Sequence, residues 1–256
     1  MSETLELAEN AARKVLLADL GRHAELAHQA FRLADKTVGR IAGKSLDEVP
    51  QAQKVVVALV IILANDLRAA SILALSGYST QSADIVAGMY EAAYTVAYVG
   101  ADETRAQQWI EHDDPTRSFL PAKNLTEAVV GELNVSDPVQ VAKLQYRNYR
   151  QLCMAKHSNP LLMKQTTYKL EENTVVAEVG PNTSEPSIRS ACFALEHAIG
   201  LATFAMERFI QDHLRGASVD DLLREVAELE RGREEIKEAA IARWGTEDPD
   251  PGKWKM

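Results

Sequence analysis

The sequence predicts an all-α protein, a helical bundle of about seven to nine helices carrying a small inserted β-hairpin. Apolar residues recur at three- and four-residue steps over most of the chain, and Pro and Gly fall singly between those runs. One stretch, Thr166 to Val179, instead alternates apolar and polar residues around Glu172-Asn173, the pattern of a hairpin. With no internal repeat and no low-complexity linker, the reading is one helical domain over 1–245, the hairpin inserted at about 166–179, and a tail over 246–256.

Residues 3 to about 43 read as helix, with Gly21 the place where it would break. Leu5, Ala8, Ala12, Leu16 and Leu20 form one stripe, and Leu26, Ala30, Leu33, Thr37 and Ile41 another. Ser45 to Pro50 connects to a long apolar helix over Gln51 to Ser76, closed by Gly77 and followed by Ser79-Thr80 as N-cap residues. Its run Val55 to Ala64 is too short for a membrane span, which needs about twenty residues, so it is expected in the core. Gln81 to Val99 is a second core helix with Ile85, Met89, Ala92, Ala93 and Val96 inward. Shorter helices follow over Thr104 to His112 and Pro121 to Leu133, and a basic helix over Val139 to Pro160. Ser187 to Leu214 is long and amphipathic. A capping box, Ser218 with Asp221, opens the last helix, which Gly245 ends. Its stripe Leu222, Val226, Leu229, Ile236 and Ala240, interrupted by Arg233, suits packing on the body or on a second subunit.

Charge is distributed unevenly. The 256 residues carry a net −9, which argues against a surface that coats nucleic acid as a whole. Pro138 to Leu170 nevertheless holds six Lys or Arg (Lys143, Arg147, Arg150, Lys156, Lys164 and Lys169) and no acid, leaving −15 for everything outside it. Two cysteines, Cys153 and Cys192, do not make a disulfide framework, and the N-terminus has acids where a secretory leader needs bases. Both point to a reducing cytoplasm and no membrane.

Several constellations have a structural reading. Gly39 to Ser45 lacks one residue, and a preceding strand, of a phosphate-binding loop, and reads as a helix end. Glu25 and His28 have the Glu-x-x-His spacing of di-metal bundles without the second copy such sites need. Glu111-His112-Asp113-Asp114 reads as a solvated helix terminus. No metal and no cofactor is expected. Arg68 and Glu91 each interrupt an apolar core helix, and a buried charge must be paired, so each is expected to meet the other, another charge or a polar cluster, with a structural ion pair between the two as the favoured form. In a functional version, Glu91 faces the basic helix and orients His157 or Arg150.

Arg150 and His157 are the candidate catalytic pair. Seven residues apart on one helix, they share a face at a separation of about 10 Å. Imidazole takes and returns a proton near neutral pH, and guanidinium holds a phosphate, which suits metal-free RNA cleavage. Lys143, Arg147 and Lys156 would hold neighbouring phosphates, and Tyr146 and Tyr149 would stack bases.

This segment, Arg150-Gln151-Leu152-Cys153-Met154-Ala155-Lys156-His157, resembles the Arg, polar residue and His motif of the HEPN superfamily of helical bacterial toxins and defence ribonucleases. Arg68, Tyr90-Glu91 and Tyr149-Arg150-Gln151-Leu152-Cys153 followed by His157-Ser158-Asn159-Pro160 are similar to a pattern in uncharacterised bacterial helical proteins. The resemblance spans about residues 51 to 160. It implies an all-α homodimer with two basic helices facing a shared cleft, an RNA substrate and a role in toxin or phage defence. Six intervening residues and Gln151 in place of Asn or Asp depart from the usual motif. The competing class is a non-catalytic interaction or sensor protein with a protein partner or a small molecule near Arg68 and Glu91.

Overall fold

The computed structural model describes residues 2–114, 117–157, 168–171, 174–177, 179–214 and 219–245. Eight α-helices account for the fold among them: α1 (Ser2–Gly39), α2 (Gln51–Leu75), α3 (Ser79–Gly100), α4 (Glu103–Ile110), α5 (Ala122–Glu132), α6 (Pro138–Lys156), α7 (Glu185–His213) and α8 (Asp220–Trp244). Helices α3 and α7 form the centre, packed on each other. Helices α1 and α2 complete a four-helix layer with them, α8 closes over α1 and α7, and α5 and α6 cover the other side of α3.

The expectation of a hairpin built into the bundle is corrected. The body is helical throughout, with no strand in its layers. Tyr168–Glu171 and Thr174–Ala177 pair antiparallel, Tyr168 opposite Ala177 and Glu171 opposite Thr174, but only with each other. Neither packs broadly on a helix. A two-stranded ribbon of four-residue strands buries too little to act as a layer. Fold class is therefore set by the helices alone.

Helix α1 runs unbroken through Gly21, because its flanking apolar stripe is buried against α2, α7 and α8 and outweighs the weak propensity of one glycine. Leu222, Val226, Leu229 and Ile236 of α8 are buried within this chain's own core, so the stripe packs on the body. Gly232 makes that approach close: a Cβ there would lie 2.5 Å from Leu26 Cδ2. Gly77, at φ +87, turns the chain between α2 and α3 with its carbonyl accepting the Asn182 N–H at 2.9 Å. Tyr78, not Ser79 or Thr80, occupies the N-cap of α3, while Ser79 hydrogen-bonds Ser187 across to α7 at 2.9 Å. Ser218, the first half of the expected capping box, lies outside the described residues, and Asp221 pairs with Arg40, just past the end of α1.

Helix α2 is the one helix among the described residues long and apolar enough to cross a membrane, and half of its most apolar window is buried in the body. Its outer face leaves Ile61, Ile62 and Ile72 exposed. Cys153 and Cys192 are free thiols.

Candidate functional site

Helix α6 starts with Pro138 in its first turn and Asp137 at its N-cap, whose carboxylate accepts the Gln140 N–H at 3.0 Å. It stops at Lys156, short of the expected Pro160, and His157 is the C-cap, its N–H donating to the Cys153 carbonyl at 3.0 Å. Ser158, Asn159 and Pro160 of the resemblance, together with Lys164, lie outside the described residues.

Ala142, Leu152 and Ala155 of α6 are buried against the bundle. That orientation leaves Lys143, Arg147, Arg150 and His157 exposed. Steps of four, three and seven residues stack them along one face of the helix. The structure thus places four of the six predicted α6 residues, three cations and one imidazole, in one exposed stripe.

Tyr149 and Lys156 face elsewhere. The Tyr149 hydroxyl donates to Glu91 Oε1 on α3 at 2.7 Å, and Lys156 Nζ lies 3.4 Å from the same oxygen. Tyr149 also packs its ring on the fully buried Tyr90, centroids 4.7 Å apart, and Tyr90 in turn stacks on Tyr94 at 4.4 Å. Burial, with Cys153 and Glu91 beside it, pushes the Tyr149 hydroxyl well above the usual phenol range, so it keeps the proton it donates to Glu91. Half-buried and held at both ends, Tyr149 is a strut between α3 and α6 rather than a free base-stacking platform. Tyr146 lies next to it at 5.9 Å.

Glu91 does face the basic helix, but its partners are Tyr149 and Lys156 rather than His157 or Arg150. The ion pair expected between Arg68 and Glu91 is not formed. Arg68 is exposed on the outer face of α2, so no buried charge demands a partner there. Gln151, the polar neighbour in the motif, points inward instead of towards Arg150. It is 8% exposed, with neither amide atom hydrogen-bonded. Burial pushes the Cys153 thiol up, against Tyr149 and Lys156, which keeps it protonated and unreactive.

A second site went unread in the sequence. Between α3, α6, α7 and α8 lies a groove of about 680 Å³, bordered by Tyr90, Tyr94, Arg147, Glu196, His197, Phe204 and Arg233 and reaching His23 of α1. Glu196 is 9% exposed and has two partners: its Oε1 accepts from Arg233 Nη1 at 2.7 Å, and its Oε2 lies 2.8 Å from His197 Nδ1. Burial alone would raise the Glu196 carboxyl, but His197 and Arg233 outweigh it and hold it at about 2. For His197, burial disfavours the proton, yet Glu196 beside it raises the imidazole above its ordinary value. Arg233 also reaches Glu230 at 2.8 Å.

His23 has no such neighbour in contact. It is 6% exposed, and neither ring nitrogen has a hydrogen-bond partner. Burial pushes it down to about 4, against an upward pull from Glu196. One sequence signal existed. His23 falls on the stripe Leu16, Leu20, Ala27 and Ala30, where three- and four-residue steps place it among buried residues, and Glu196 falls likewise between Cys192 and Ile199. Near the other expected clusters, Glu25 pairs with Arg22, and His112 bonds the Arg117 carbonyl. Among the described residues no three His, Cys, Asp or Glu come together as a metal site.

No family model, curated protein or solved structure matches this chain.

Proposed function

We propose that this chain is an HEPN-like RNA-binding protein that engages RNA through the exposed face of α6, with Arg150 and His157 cleaving the strand without metal. The carrying observation is the stripe Lys143, Arg147, Arg150 and His157, four cationic or protonatable side chains exposed along one helix of a chain with net charge −9. Such a stripe attracts phosphates in succession, while the acidic remainder disfavours indiscriminate coating. In the reaction, a neutral His157 takes the proton from a ribose 2′-hydroxyl. The 2′ oxygen attacks the adjacent phosphorus, and the bond to the 5′ oxygen breaks. A 2′,3′-cyclic phosphate remains, and the departing 5′ oxygen takes its proton from a protonated His157 of a second copy. Arg150 holds the non-bridging oxygens as negative charge builds on them. A homodimer with facing α6 helices is part of this reading, since one exposed face cannot by itself surround the phosphate.

Incubation of single-stranded RNA with the purified protein in EDTA tests it. Cleavage to cyclic-phosphate ends is expected, falling about 100-fold or more in His157→Ala, in line with loss of a general acid–base. Undiminished cleavage by His157→Ala would contradict the assignment. RNA binding without cleavage would leave α6 as a recognition surface and remove the catalytic roles.

A further inference from the structure

We propose that the groove between α3, α6, α7 and α8 is a binding site for a neutral, planar heteroaromatic small molecule, seated against Phe204 and Tyr94 and hydrogen-bonded to His23. This site meets the exposed stripe of α6 at Arg147 but rests on other residues, and stands whether or not that stripe binds RNA. The groove's volume, about 680 Å³, lies within the range of small-molecule pockets.

The chemistry of the walls selects the ligand. Phe204, half-buried, borders the groove beside Tyr94, ring centroids 5.6 Å apart, so this part of the wall is aromatic. The buried carboxylate of the groove is already answered, Glu196 by Arg233 and His197, and Arg233 meets Glu230 as well. An ion entering there would have to break one of those pairs, so a neutral molecule is favoured. Among the described residues bordering the groove, His23 is the one buried side chain whose two polar atoms are both unanswered. Such groups are rare because leaving them unpaired is costly. Neutral imidazole offers one donor and one acceptor, which the edge of a heteroaromatic ring carrying a ring nitrogen and an N–H matches.

Adenine and benzimidazole serve as probes, with adenosine 5′-monophosphate as the charged counterpart. Ligand-detected saturation-transfer NMR and the thermal midpoint of the full chain are read at pH 7.5. Both neutral probes are expected to receive saturation and raise the midpoint, with the nucleotide at least tenfold weaker. His23→Leu, which fills the buried position with an apolar side chain and removes both ring nitrogens, is expected to weaken both probes at least tenfold. Ala240→Trp, at the groove's border, should abolish binding by filling space. Absence of binding by both neutral probes up to millimolar concentration overturns the proposal, as does equal affinity in wild type and His23→Leu.

Discussion

Replacing His23 by leucine should raise stability and also change how stability depends on pH. The imidazole is buried on α1 without a hydrogen-bond partner, and burial holds it at about 4, against about 6.5 in an unfolded chain. Between these values the unfolded chain binds a proton that the folded one refuses, so stability falls as pH drops from 6.5 and the loss levels off below 4. Evaluating that linkage between pH 7 and 4.5 gives a loss of about 2 kcal/mol from this residue alone. The window is well placed. Glu196, held at about 2, begins to cost stability only as its unfolded counterpart takes up protons near 4.5. His197, raised in the folded protein, contributes stability that is complete below 6.5 and declines above it, so it adds no loss on the acid side. Urea unfolding of wild type and His23→Leu at four pH values from 7 to 4.5 reads the effect. The variant should gain about 1 to 3 kcal/mol at pH 7 by removing orphaned polar atoms, and its advantage should widen by about 2 kcal/mol at pH 4.5. A constant difference across the series would refute the reasoning, because it would mean His23 titrates alike in both states.

Gly77→Ala places a Cβ 2.8 Å from Pro181 Cβ and 2.9 Å from the Asn182 backbone nitrogen, at a φ of +87, so a loss of about 2 to 4 kcal/mol is expected in urea unfolding. A loss under about 0.5 kcal/mol would show that the α2–α3 turn yields freely. Arg233→Met removes the cation between Glu196 and Glu230; with a quarter of the arginine side chain exposed, the cost should be about 2 to 3 kcal/mol at pH 7. That cost should shrink as the pH falls and the carboxylates take up protons, and chemical unfolding at pH 7 and pH 4 compares the two. A cost independent of pH would mean that packing, not charge, is what Arg233 supplies.

How much of this was legible in the residues depended on whether a signal was local or between helices. The helices from α2 to α8 fall within a few residues of their predicted bounds because their apolar periodicity and breakers such as Gly77 are local. The stripe of α6 was legible for the same reason: Lys143, Arg147, Arg150 and His157 share a face whatever the helix packs against. Arg68 was misplaced because α2 is apolar nearly all round, so periodicity could not say which side faces out; the side bearing Ile61, Ile62 and Arg68 does. Glu91 was expected opposite Arg68 and instead meets Tyr149, since a partner choice is made between helices and leaves no mark on either. His23 and Glu196 carried a usable signal, a polar residue in phase with an apolar stripe, which matters only once α1, α7 and α8 converge.

The salt dependence of RNA binding tests the central claim most directly. Fluorescence anisotropy with a labelled single-stranded RNA, from 50 to 300 mM salt, compares wild type with the triple variant Lys143→Ala, Arg147→Ala, Arg150→Ala. Each phosphate contact on single-stranded RNA contributes about −0.7 to the slope of log affinity against log salt, so three cations supply about −2. The account predicts that the triple variant loses affinity at low salt and that its slope flattens by about 2. Equal affinity and equal slope in the two proteins would contradict it.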